Sequence, residues 1–289
     1  MTPSLPGHAA MALFAALISV SFSLGDRAAE AIDPAALAAA RFLLAAALIG
    51  GLAATRLRRE HLAALWRFPV LGGLLGGYFI LMFEALRLTD PVSTGAVFTL
   101  TPVMSAAFGW LLMRQITKPR AAAAIALGAA GAVWVIFRAD VAAILRFDVG
   151  AGEVMFLFGC AMHALYAPLG RMLHQGEPML VYTFLGLCGG FLVTGLYGAP
   201  ALAATDWGAL PWIVWAALLY LAVFATATTF FLVQFATLRL PAGKVMAYGY
   251  LVPVFVILWE GLFAAAWPAA PVWAGVAAIV GALLLLLKD

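Results

Sequence analysis

Tyr78-Phe79, Phe83, Leu86-Arg87-Leu88 and Ala96-Val97-Phe98-Thr99-Leu100-Thr101-Pro102 form a pattern that the chain repeats. The second copy is Phe230-Phe231, Phe235, Leu238-Arg239-Leu240 and Ala247-Tyr248-Gly249-Tyr250-Leu251-Val252-Pro253. Both share F-x-x-x-F-x-x-L-R-L, a turn, and A-x-x-x-L-x-P; the turn is one residue shorter in the second copy. Two composite matches in the same order read as an internal duplication.

Composition sets the kind of chain that is duplicated. Hydrophobic residues make up 66% and charged residues 10% of 289, and the mean hydropathy is +1.07. A soluble domain carries roughly a quarter charged residues, so this one is read as an integral membrane protein. Long unbroken apolar runs, without the ten-residue alternation of a membrane barrel, make it all-α. Ten runs are long enough, or nearly so, to cross the bilayer: 8–25, 35–54, 68–86, 93–113, 121–137, 151–170, 179–198, 211–235, 243–265 and 270–287. The first is read as a permanent span, because no basic stretch precedes His8. Cys160 and Cys188 lie inside apolar runs and read as small core side chains, with no disulfide framework.

Lysine and arginine set the orientation. The even loops and the tail hold eleven: Arg56, Arg58, Arg59, Arg67, Arg114, Lys118, Arg120, Arg171, Arg239, Lys244 and Lys288. The odd loops hold four: Arg27, Arg87, Arg138 and Arg146. This bias expects even loops and both termini in the cytoplasm, and a multi-pass protein of the cell (inner) membrane. The net charge of +3 then reports topology, and no nucleic-acid partner is implied.

The repeated unit falls in spans three and four and again in spans eight and nine. An offset of five spans inverts one copy relative to the other. The chain is therefore expected to divide into a first five-helix repeat, residues 1–138, and an inverted second, residues 151–289. Inverted repeats typify secondary transporters, with the substrate site near the midplane between them.

Two five-helix repeats, Arg41 in the run Ala38-Ala39-Ala40-Arg41-Phe42-Leu43-Leu44-Ala45, and the twin L-x-P helices resemble the drug/metabolite transporter superfamily, EamA-type branch. Within that branch the chain is similar to YddG-type exporters of aromatic amino acids. The resemblance implies an exporter working by alternating access, with a small-molecule substrate and the lipid bilayer as partners; a monomer is one reading of its oligomeric state, which the sequence leaves open. Helix seven (Tyr182-Thr183-Phe184-Leu185-Gly186) has no arginine to match Arg41, so Arg41 is not half of a symmetric pair.

Ionisable groups inside a membrane are costly and mark function by default. His163 sits near the middle of span six, with Tyr166 one turn on and Pro168 beyond it; it reads equally as a packing residue and as a substrate or proton ligand. Arg41 reads first as a structural tie to carbonyls or to an acid of loop one, and second as a contact for a substrate carboxylate. Glu84 and Glu260, near the outer ends of their spans, read as interfacial carboxylates or as proton-coupling groups. Tyr78, Tyr166, Ser21, Thr101, Thr229 and Tyr248 are candidates to line the site beside His163. Most serines and threonines in spans, however, bond only to the preceding turn. Pro102 and Pro253 fall inside spans at equivalent places and, with Pro168 in span six, are expected to bend them, as helix kinks or hinges. Gly72-Gly73, Gly76-Gly77 and Gly189-Gly190 read as close-packing points. Gly72 to Gly77 lack the Lys-Ser/Thr of a P-loop, so ATP is not expected to drive the protein, and no cofactor or metal is implied. A nucleophile with its base is also missing, so the chain is read as a transporter and not an enzyme. The expected cargo is a large neutral or aromatic amino acid; another metabolite or a cationic drug is the alternative.

Overall fold

A computed structural model describes residues 5–89, 91–147, 149–264 and 267–287, with some side chains among them left out, that of Glu260 included. The described residues are helical throughout, with no strand. The helices are α1 (Leu5–Ala29), α2 (Pro34–Ala53), α3 (Arg67–Leu86), α4 (Pro91–Phe98), α5 (Thr101–Met113), α6 (Pro119–Ile136) and α7 (Val141–Leu145), then α8 (Ala151–Leu173), α9 (Met179–Ala204), α10 (Trp212–Ala222), α11 (Thr229–Thr237), α12 (Ala242–Ala247), α13 (Leu251–Ala264) and α14 (Val272–Leu287). Among the described residues, eight stretches are long and apolar enough to cross a membrane, and Leu5–Ser21 within α1 and Val272–Leu287 (α14) are two shorter apolar ones. The protein is an all-α, multi-pass membrane fold. The short α7, in loop five, was not foreseen from the sequence.

Local chemistry fixes where helices begin. Asp33 caps α2 by accepting from the Ala35 N–H at 2.7 Å, with Pro34 in the first turn where no N–H is needed. Lys118 precedes Pro119 at the start of α6 in the same way. Bulky Trp66, Trp110, Trp212 and Trp267 are exposed near span ends, as an interfacial belt requires.

The expected bends at Pro102 and Pro253 are full breaks. Span four stops at Phe98 and restarts at Thr101 as α5, with Pro102 in the new first turn. Span nine passes from α12 through a 3-10 turn, Tyr248–Tyr250, into α13, with Pro253 in its first turn. A proline is tolerated there because first-turn N–H groups have no partner inside the helix. The two breaks meet: the Tyr250 hydroxyl donates to the Thr99 carbonyl at 2.9 Å. A carbonyl next to the break in one span is thus capped from the break in the other. In contrast, α8 runs unbroken through Pro168. Span eight carries a third interruption that the sequence did not announce, a π-helical segment at Val223–Thr228.

Packing follows small residues. A Cβ on Gly72 would lie 2.1 Å from the Gly190 nitrogen, and one on Gly189 would lie 2.0 Å from the Phe68 carbonyl oxygen. Backbones of α3 and α9 therefore touch, with dispersion in place of a hydrophobic drive. Gly131 and Gly275 join α6 to α14 in the same manner. Span two packs on span seven, and span five on span ten. Three on six is matched by eight on one, and four on six by nine on one. Some close pairings have no counterpart of similar closeness among the described residues: α11 with α8, and α12 with α8 and α6. All three lie in the half of the bundle that carries the basic even loops.

Candidate functional site

The middle of the bundle holds a chain of rings. His163, in α8, stacks on Tyr78 of α3 at 4.7 Å between centroids, and Phe98, at the end of α4, lies 5.6 Å from the imidazole. Phe156 approaches Tyr78 from two turns up α8, at 5.9 Å. Phe79 adjoins Tyr78 at 5.0 Å and carries the Arg41 guanidinium over its face, Cζ 3.8 Å from the centroid. Four helices, α2, α3, α4 and α8, thus converge here. Gly77 leaves the space that Met162 fills beside this group; a Cβ there would meet the Met162 methyl at 2.2 Å.

Polar atoms in this region lack partners. Arg41 Nε and Nη2, His163 Nδ1, Thr101 Oγ1, Ser105 Oγ and Thr226 Oγ1 are all shielded from solvent and make no hydrogen bond. Buried polar groups are normally satisfied, and each orphan costs roughly 1–3 kcal/mol, more when charged. Several of these orphans gather around the aromatic chain and the breaks. An arrangement of this sort can take up a solute that brings its own acceptors and an apolar body.

The structure separates the expected site residues. His163, Tyr78, Thr101 and Arg41 lie in or beside the ring cluster. Tyr166 is buried below it, and its hydroxyl accepts from Gln234 Nε2 at 3.0 Å, while Gln234 Oε1 accepts from Thr183 at 2.6 Å. Ser21 spends its hydroxyl on the Ile18 carbonyl and Thr229 on Thr226, as span serines and threonines commonly do. Tyr248 is tied to His8 Nδ1 at 2.7 Å. Glu84 accepts from the Tyr197 hydroxyl and from Arg87, at a partly exposed helix end. Glu153 is engaged by Thr89 and by the Gly150 N–H. The Glu260 side chain lies outside the described residues. Arg41 Nε and Nη2 have no hydrogen-bond partner among the described residues, and Asp33, two turns away, serves as the helix cap.

Two functional-looking features escaped the sequence. Gln234 is a buried bridge between α8 and α9; a glutamine inside an apolar span was the available signal. Arg67 is a buried cation, 1% exposed, paired with Glu177 at 2.5 Å and donating to the Leu173 carbonyl. Burial pushes the Glu177 carboxyl up, but hydrogen bonds from Arg67 and from the Gln175 N–H outweigh it and hold the group below its usual value. The pair clamps the start of α3 to the α8–α9 loop on the basic face.

The comparisons with known proteins agree with this architecture. The family model described as the EamA-like transporter family matches twice, over residues 5–137 and 150–288. A relative from Bacillus subtilis (strain 168), "Uncharacterized transporter YyaM", is 23% identical over 257 residues, covering 85% of this chain and 82% of that protein. A solved crystal structure superposes with a TM-score of 0.79 at 21% identity, covering 98% of this chain and 95% of the other, which is a likeness of fold. With nearly the whole length matched, the chain belongs to the EamA-like transporter family, within the drug/metabolite transporter superfamily.

Proposed function

We propose that the protein is a secondary transporter that exports large neutral amino acids, chiefly aromatic ones, across the cell membrane, and is not an enzyme. Residues 1–138 and 151–289 act as inverted repeats, with the basic face and both termini in the cytoplasm. The observation that carries the reading is the Tyr78–His163 stack beside Phe98, where unpartnered His163 Nδ1 and Thr101 Oγ1 lie next to aromatic faces. Rings offer offset and edge contacts to an aromatic side chain. Lone donors and acceptors there fix the orientation of a polar head. The duplicated family match and the mirrored packing of spans support the repeat division. A cationic drug is not favoured, since Glu84 and Glu153 are both engaged by neighbours near helix ends.

The test is uptake by purified protein in liposomes, with labelled phenylalanine, tryptophan and methionine. Saturable uptake is expected, with a loss of tenfold or more in His163→Ala, about what one lost site interaction of 1.4 kcal/mol gives. Folded yield should stay the same. Undiminished uptake by His163→Ala removes the site, and no uptake of any amino acid removes the cargo.

A further inference from the structure

We propose that Arg41 is the anchor for a substrate carboxylate, so that cargo must be an organic acid or zwitterion with an apolar body. The inference rests on the transport reading above and names the chemical class that the ring cluster accepts.

The argument begins with what Arg41 lacks. It lies two turns into α2 and is 7% exposed, among the few charges that the fold places inside a span. One face of its guanidinium covers Phe79, and Phe42 lies 5.6 Å from Cζ. Stacking of this kind holds the plane of the fork and leaves its N–H edges free. Nε and Nη2 are the two nitrogens of the side-on edge, and both are buried without a partner. That edge matches a carboxylate in two parallel N–H···O bonds. A buried charge without a counter-ion is a poor structural element, because desolvation is not repaid by any attraction. A group brought by the substrate would repay it.

The neighbours complete the site. Tyr78 adjoins Phe79, the ring beneath Arg41, and stacks on His163. A solute with its carboxylate on Arg41 therefore has the faces of Tyr78 and Phe98 beside it for its apolar body, and His163 Nδ1 for the rest of its polar head. The second half has no arginine at the matching place, so one carboxylate is held on one side only. A dianion or a phosphate would find a single cation.

The experiment measures thermal melting of purified protein in detergent, with L-phenylalanine, 3-phenylpropionate, L-phenylalaninamide and phenethylamine as probes, on wild type, Arg41→Lys and Arg41→Met. The two acids should raise the melting temperature, and the amide and the amine should not. In Arg41→Met the acids should lose their effect, and Arg41→Lys should keep part of it through a point charge without the fork. Without ligand, Arg41→Met should melt at or above wild type, because an unpaired buried charge has been replaced by an apolar chain of similar length. Equal stabilisation by acid and amide overturns the assignment, as does no stabilisation of wild type by any acid. A clear fall in the ligand-free melting point of Arg41→Met also overturns it, since a structural tie would behave that way. Parallel uptake in liposomes separates the two claims: transport of the amide as fast as the acid sinks Arg41 alone, and no uptake of any probe sinks the transport reading.

Discussion

At the scale of single residues, the sequence marked costly groups well and their partners poorly. His163 stands out in the sequence by its depth in an apolar run, and Tyr78 and Thr101 as aromatic and polar groups in spans; the three lie in or beside one cluster. Ser21 and Thr229 were chosen by the same logic but turn back on their own helices. Nothing in one dimension tells a hydroxyl that serves a cavity from one that serves the preceding turn. Arg67 was counted only as a loop charge, because its partner Glu177 is 110 residues away. This pair yields a prediction about pH. Glu177 has its pKa depressed in the folded state, below the ordinary 4.5, with Arg67 holding the charged form. The stability it contributes is therefore complete above about pH 4.5 and is lost as pH falls through the folded value. Glu177→Gln should lower stability by about 3–5 kcal/mol near neutral pH, since it strands the Arg67 charge in a buried setting. Melting curves from pH 7 down to pH 4 should show the gap between wild type and variant shrinking only below about pH 4.5. A gap that is constant across that range would sink the ion pair as its cause.

At the scale of elements, helix number, helix order and the packing glycines were legible. Length and hydropathy decide a span, and a glycine pair in an apolar run has few uses other than close approach. The breaks were legible as prolines but not as breaks. A proline removes one hydrogen bond; whether the helix bends, runs on or stops depends on neighbours that can cap the freed carbonyls. At Thr99 the cap is Tyr250, contributed by the other broken span. At Pro168 the helix runs on. The π segment at Val223–Thr228 has no proline or glycine to announce it. Glycine substitutions test the packing reading. Gly189→Ala puts a methyl into the α3 backbone, and with so little give it should cost about 1–3 kcal/mol, as overpacking does. Gly281→Ala has nothing within 4 Å of the new methyl and serves as the control. Folded yield and melting temperature by size-exclusion fluorescence should fall for the first and hold for the second. Equal behaviour of the two would mean that the α3–α9 backbones are not in contact.

At the scale of the whole molecule, the mirrored packing of spans makes the unmirrored contacts informative. Two inverted repeats in identical conformations would make equivalent contacts on both faces. Here α12 packs on α5, and on α6 and α8, in the basic half, while no packing of similar closeness joins α4 to α13 among the described residues. A Cβ on Gly243 would sit 2.9 Å from the Ala106 Cβ, so the two inner half-helices touch. The Arg67–Glu177 clamp and the His8–Tyr248 bond lie in the same half. The half-helices α5 and α12 are thus packed together toward the basic face. Exchange of conformation between the repeats would part α5 from α12 and bring α4 to α13, with the breaks at Leu100 and at Tyr248–Tyr250 taking up the motion. Cysteines at 106 and 243, introduced as Ala106→Cys and Gly243→Cys with Cys160 and Cys188 replaced by serine, should form a disulfide once the two helices ease apart from 2.9 Å to the roughly 3.5–4.5 Å that its Cβ atoms need. Oxidation should then stop uptake into liposomes, and reduction should restore it. The locked protein should still bind its cargo from the face opposite the basic loops, since the ring cluster does not lie between α5 and α12. Full transport by quantitatively cross-linked protein would mean that this contact never opens, and alternation would have to be sought along another pair of helices.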